Sequence, residues 1–138
     1  MAQPVARVVW REGMTFEATT ASGKQVVIDS AAQGQASNGP TPVELLMTAL
    51  AGCTAMDIVT ILKKMREPLE GLEVEASGTR REQEPRIFTH IEVLYRVRGQ
   101  VKPEAVERAI ELSRTKYCTV EAMIEKTARV TARYEIVE

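Results

Sequence analysis

Two cysteines, one histidine and a scatter of arginines and carboxylates are the residues of this 138-residue chain with chemistry to offer. Cys53 lies in the apolar run ALAGCTAMDIV, residues 49–59, and two readings compete for it. A free cysteine is among the most buried residue types and behaves as a small hydrophobe. Yet Cys53 follows Gly52. A helix broken there would set the thiol near free backbone N–H groups and a positive dipole end, which favour a thiolate. Asp57, one turn on, opposes this by like-charge repulsion, so reactivity requires a cationic partner. Cys118 stands in RTKYCTVE, just before the helix cap expected at Thr119, with Arg114 and Lys116 close in sequence. A helix start with local positive charge lowers a thiol pKa; the competing reading is a junction cysteine packed between helices. With His90 the sole histidine and no Cys-x-x-Cys, the ligands of a zinc site are lacking, and neither a metal nor a cofactor is expected. His90 falls on the polar face of its strand, where nothing local supports a Cys–His nucleophile pair.

These residues need elements to position them. VARVVWR (5–11), MTFEATT (14–20) and QVVID (25–29) read as strands of an antiparallel meander, with ASGK (21–24) as a hairpin turn. Residues 30–40, SAAQGQASNGP, read as a loop. A long helix follows. Thr41 is its N-cap, Pro42 suits the first turn, and Glu44 falls where a capping box needs an acid. Lys63, Lys64 and Arg66 favour its C-terminus, and Pro68 and Gly71 end it. Its apolar residues cover most of the circumference, which predicts burial on nearly all sides. LEVEAS (72–77) and RIFTHIEVLYRV (86–97) alternate as strands, the second with Ile87, Ile91, Val93, Tyr95 and Val97 inward. A helix is expected over 103–117, with Val106, Ala109, Ile110 and Tyr117 on the buried stripe and Glu104 paired to Arg108. A short helix, VEAMIEK, and a last strand, ARVTARYEIV, close the chain. The order βββ-α-ββ-αα-β predicts one α+β domain over residues 1–138 with antiparallel sheets. A helix apolar all round needs cover from outside a chain this small, which favours a homodimer.

Composition narrows the function. The chain is 44% hydrophobic and 27% charged with net charge −1, which gives no electrostatic reason for nucleic acid or an anionic membrane as partner. Aromatic residues at 4% also argue against base stacking. No unbroken run of about 18 apolar residues predicts a transmembrane helix. The N-terminus, MAQPVARVVWREG, lacks the apolar core of a signal peptide. A cytoplasmic protein is expected, and two cysteines do not make a disulfide scaffold.

The stretch GPTPVELLMTALAGCTAMDIVTILKKMR resembles the OsmC/Ohr family, the osmotically inducible protein C and organic hydroperoxide resistance proteins. A proline and a glutamate open the helix, and a cysteine sits 11 residues after the proline, here Pro42 to Cys53. A second cysteine lies 65 residues on, in KYCTV before a short helix. Arg11 in WREG mirrors the arginine of the family's Gly-Arg-Asp-Gly turn. In the peroxidase branches the functional glutamate directly follows the proline; here Val43 holds that place and Glu44 follows it, as in a less characterised OsmC-like branch.

The resemblance implies an OsmC-like fold with a long buried central helix in an intertwined homodimer, and a cysteine-based, peroxiredoxin-like reduction of organic hydroperoxides. Cys53 attacks the peroxide and becomes a sulfenic acid, and Cys118 resolves it into a disulfide. A dithiol, lipoyl-type in the organic hydroperoxide branch, reduces that disulfide. Arg11 would hold the thiolate charged and stabilise the leaving alkoxide, with Glu44 orienting it. Each has a plainer reading: Arg11 as a surface residue at a strand end, Glu44 as the capping-box acid. On a straight helix Glu44 and Cys53 are separated by about 180° of rotation and ~13 Å of rise, so they meet only if the chain bends at Gly52 or if Glu44 acts through another residue. The competing functions are a non-catalytic redox sensor or hydrophobic-ligand-binding protein gated by the 30–40 loop, and a structural dimer with inert cysteines.

Overall fold

Short alternating strands punctuated by Gly13 and Gly23 dictate the first part of the computed structural model, which describes residues 5–30 and 36–137. Both glycines adopt positive φ, +53° and +85°, as the two turns require. They connect β1 (Ala6–Glu12), β2 (Thr15–Thr20) and β3 (Gln25–Ile28) in an antiparallel sheet of order β1-β2-β3. A register shift between Trp10 and Glu12 marks the end of β1, where the Trp10 indole Nε1 donates to the Gly13 carbonyl at 2.8 Å. After β3, Asp29 is buried, and its Oδ2 accepts from the Thr15 hydroxyl at 2.8 Å and from the Asn38 backbone N–H at 3.1 Å. The expected 30–40 loop falls partly on residues 31–35, which lie outside the described residues.

The chain divides into two units, Met1–Leu46 and Met47–Glu138, a boundary that falls within helix α1 (Pro42–Lys64). The start of α1 is the predicted capping box: the Glu44 N–H donates to Thr41 Oγ1 at 3.1 Å, and the Thr41 N–H donates to Glu44 Oε1 at 2.8 Å. The helix does not break at Gly52. It ends with Arg66 at φ 61°, where the Arg66 and Glu67 N–H groups reach back to the Lys63 and Leu62 carbonyls.

The second unit adds β4 (Gly71–Arg80), β5 (Phe88–Arg98), α2 (Pro103–Leu112), a π-helical turn (Ser113–Tyr117), α3 (Thr119–Ile124) and β6 (Arg129–Val137). Its sheet has the order β4-β5-β6. β4 and β5 pair antiparallel, but β5 and β6 pair parallel, against the expectation of antiparallel sheets throughout. The two helices between β5 and β6 form a crossover long enough to bring the chain back in the same direction. Ile91, Val93, Tyr95 and Val97 alternate into the core as predicted, where they meet Leu50, Ile58 and Leu62 of α1 and Val106, Ala109 and Ile110 of α2. Ile87 does not join them: it precedes β5 and is exposed. Tyr117 is also exposed, because the π-turn adds a residue and shifts the helical phase after Leu112. Arg108 pairs with Glu111 at 2.6 Å rather than with Glu104.

Helix α1 departs from its prediction in two respects. Only one stripe is buried in the single chain, Leu50, Thr54, Ile58, Ile61 and Leu62, while Met56 is 73% exposed. Over an 18-residue window its mean hydropathy is 1.9, so by length and composition it could cross a membrane. Thr48, Thr54, Asp57 and Thr60 interrupt its apolar residues, so no unbroken apolar run forms although the mean is high.

Candidate active site

Helix periodicity places Cys53 and Asp57 one turn apart on α1, and neighbours at that spacing share a face. Thr54, between them in sequence, sits four residues after Leu50 and four before Ile58, in the middle of the buried stripe. A buried hydroxyl must find partners. Thr54 Oγ1 has two, Tyr95 Oη and Ser113 Oγ, both at 2.8 Å. Ser113 Oγ in turn donates to Asp57 Oδ2 at 2.9 Å. A line of hydroxyls thus runs from β5 through α1 to the π-turn and ends on the Asp57 carboxylate. Burial, chiefly, pushes the Tyr95 phenol up to about 12.

The π-turn sets the other cysteine. Its wide hydrogen bond, from the Cys118 N–H to the Ser113 carbonyl at 2.7 Å, carries the chain into α3. Cys118 itself is the N-cap of α3, in place of the expected Thr119, and its sulfur accepts from the Glu121 N–H at 3.4 Å. It is buried, and its thiol lies within hydrogen-bonding reach of the Cys53 thiol. The two cysteines, 65 residues apart in sequence, are therefore neighbours.

Cys118 does not have the lowered pKa that its sequence context predicted. Burial pushes it up to about 12, the Glu121 N–H works against this, and Cys53 and Asp57 push it further up. Desolvation of the thiolate outweighs the single backbone donor. Arg114, expected as a nearby cation, is committed elsewhere: its Nε donates to Glu121 Oε2 at 2.9 Å and its Nη2 to the Val130 carbonyl at 2.6 Å. Glu121 is only 1% exposed, and its Oε1 has no hydrogen-bond partner, so Arg114 is what makes its burial tolerable.

The remaining expected site residues belong to the first unit. Arg11, on exposed β1, pairs with Glu17 at 2.9 Å. Glu44 is the capping acid of α1, and the bend at Gly52 that would carry it toward Cys53 is absent. Without that break, Cys53 lies in mid-helix and gains nothing from a helix start. His90 lies on the face of β5 opposite Tyr95, as expected, and its Nε2 bonds the Thr131 hydroxyl at 2.9 Å. Among the described residues no group of three or more His, Cys, Asp and Glu side chains could hold a metal ion.

Sequence reading missed Thr54, Ser113, Tyr95, Arg114 and Glu121 as members of one cluster. The available signal was a set of polar residues at core positions: Thr54 between Leu50 and Ile58, Ser113 one turn after Ala109, and Tyr95 between Val93 and Val97. Glu121 also stands three residues after its N-cap, where a capping-box acid would be.

A neighbouring thiol pair, one member in the middle of a long helix and the other at the cap of a short one, defines a class that comparison with known proteins makes specific. The family model described as OsmC-like protein matches residues 34–133, and the chain belongs to that family. Protein YhfA of Escherichia coli (strain K12) is 44% identical over 133 residues, covering 96% of this chain and 97% of its own. The crystal structure of a hypothetical protein from Aquifex aeolicus VF5 is 29% identical and superposes with a TM-score of 0.87, covering 99% of this chain and 98% of that one. The organic hydroperoxide resistance protein OhrB of Bacillus subtilis, 17% identical, has the same fold at a TM-score of 0.67 over 94% of this chain and 97% of its own.

Proposed function

We propose that the protein is a thiol-dependent peroxidase that reduces organic hydroperoxides in the cytoplasm, as a homodimer of single OsmC-like domains. The observation that carries this reading is the hydrogen-bonding proximity of Cys53 and Cys118 in a member of the OsmC-like family. The fold it shares with organic hydroperoxide resistance proteins supports it further. Cys53, the more exposed thiol, attacks the distal peroxide oxygen, which leaves an alcohol and a Cys53 sulfenic acid. Cys118 displaces the hydroxyl as water and forms the disulfide, and a dithiol of the lipoyl kind returns both thiols. Arg11 is the residue that the family pattern offers for holding the thiolate charged and stabilising the departing alkoxide, and Glu44 fixes the start of the helix that carries Cys53. Dimer formation is supported by α1, an apolar helix of which only 22% of the most hydrophobic window is buried in one chain.

Turnover is the test. With an organic hydroperoxide and a dithiol supplied, the protein consumes many equivalents of peroxide. Cys53→Ser abolishes consumption, and Cys118→Ser leaves a single turnover with a trappable sulfenic acid at Cys53. Equal activity in both variants and the parent would show that neither thiol is catalytic.

A further inference from the structure

The resolving step raises a problem that the second unit alone must answer. A thiol with a pKa of about 12 is thiolate to only about one part in 10⁵ at pH 7, and the thiolate is the nucleophile. Cys118 is also buried, so bulk water is not at hand to take its proton. A base beside it is required. Two carboxylates lie near. Glu121 meets the Cys118 sulfur with its backbone N–H, and its carboxylate is held by Arg114. Asp57 is different: its field is felt at Cys118, it stands one helical turn from Cys53, and its carboxylate is held by a hydroxyl. That hydroxyl belongs to Ser113, whose backbone carbonyl also receives the Cys118 N–H. One residue of the π-turn therefore fixes both the carboxylate and the thiol's backbone, and π-turns recur at functional sites because the extra residue re-aims side chains.

We infer that Asp57 is the proton acceptor for the attack of Cys118 on Cys53, with Ser113 and Thr54 as positioning residues that hold its carboxylate beside the thiol pair. The inference rests on the redox reading of the pair and adds a residue to it. In the step, the Cys118 S–H proton passes to Asp57 as the sulfur's electron pair forms the Sγ–Sγ bond. The S–O bond of the Cys53 sulfenic acid breaks, and the departing hydroxide takes the proton from Asp57 and leaves as water. The hydroperoxide has already supplied the oxidising equivalent. The hydroxyl line explains why Asp57 stays in place: Tyr95, Thr54 and Ser113 can each point an O–H toward the next oxygen, ending on the carboxylate.

Ellman's reagent tests the step without peroxide. Cys53 releases the first equivalent of nitrothiobenzoate and becomes a mixed disulfide. Cys118 then attacks Cys53, breaking that disulfide and releasing the second equivalent. Its proton passes to Asp57 and on to solvent. The groups around the pair that could shape the pH profile are Asp57 on α1, Arg114 on the π-turn, Glu121 on α3 and Tyr95 on β5. In the parent the second release varies little between pH 6 and 8. In Asp57→Asn the first release persists, and the second slows about a hundredfold at pH 7 and climbs with pH as hydroxide replaces the lost base. Asp57→Glu restores part of the rate. Ser113→Ala and Thr54→Val give smaller losses and keep the inference testable if Asp57→Asn does not fold. A second release in Asp57→Asn with the parent's rate and pH profile would overturn the inference, as would a loss without any change in pH profile. A parent that passes this test but consumes no peroxide would sink the peroxidase reading and leave Asp57 its role.

Discussion

The two units of this chain handle apolar surface in opposite ways. In the first, β1 is exposed along its whole length, with Val8 at 53% and Trp10 at 64% exposure. In the second, β5 buries Ile91, Val93, Tyr95 and Val97 completely in a core shared with α1 and α2. The second unit has a core large enough to hold polar groups out of water and so to shift their proton affinities. The first is a sheet in search of cover. A chemical site can be built within the second, whereas the first has to contribute through what it meets.

The largest expected effect lies in the first unit. Trp10 is the only tryptophan, so its emission reports its surroundings without ambiguity. In a homodimer that covers β1, Trp10 emission shifts to the red on dilution together with loss of the dimer in light scattering. Trp10→Glu weakens the dimer by about 2 kcal/mol or more, as removal of a buried interface tryptophan does. A folded monomer with unchanged emission at every concentration would show that β1 has no such partner.

The core of the second unit predicts a fall in stability at alkaline pH. Cys118 and Tyr95 are both raised to about 12 in the folded protein. In the unfolded chain they titrate near ~8.5 and ~10. Above pH ~8.5 the unfolded chain has released the Cys118 proton that the folded chain still holds, so stability is complete below that value and falls as pH rises toward about 12. Each group contributes on the order of 1 kcal/mol per pH unit within its window. Calorimetry of the reduced protein shows Tm descending from there, and Cys118→Ala removes the first part of the descent. A Tm that is flat to pH 10 in the parent would contradict the burial of that thiol.

Smaller effects follow from the hydroxyl line. Tyr95→Phe removes one buried hydrogen bond and costs about 1 kcal/mol in denaturant unfolding. Thr54→Val costs more, because it takes a partner from both Tyr95 and Ser113. The smallest concerns Gly52. A Cβ there meets nothing within 4 Å in the single chain, so Gly52→Ala stabilises the helix by about 0.5–1 kcal/mol. Destabilisation instead would place a partner's backbone against Gly52.

Local rules account for what was legible. The capping box at Thr41 and Glu44, the glycine turns of the meander and the inward alternation of β5 each depend on residues within a few positions of one another. The nearness of Cys53 and Cys118 was to be expected from a family pattern, not from their spacing. Misreadings arose where a local signal competed with tertiary context. Gly52 carries a breaker's propensity, yet α1 passes through it, since burying Leu50, Thr54 and Ile58 on one stripe outweighs the cost of one glycine. Tyr117 kept the α-helical phase in the sequence and lost it to the π-turn.

The sequence by itself determined where the helices start, which strand faces turn inward and which two thiols are present, because these follow from short-range sterics and period. Only the tertiary structure decided what those thiols are. The charge near Cys118 in sequence predicted a lowered pKa, but Arg114 turns to Glu121, and the thiol is left in a core where desolvation raises it. Nor could the sequence show that Asp57, Thr54, Ser113 and Tyr95 form one chain of hydrogen bonds, since its members come from three elements brought together by folding. Proton affinity depends on what surrounds a group in space, and those neighbours are fixed only when the core closes.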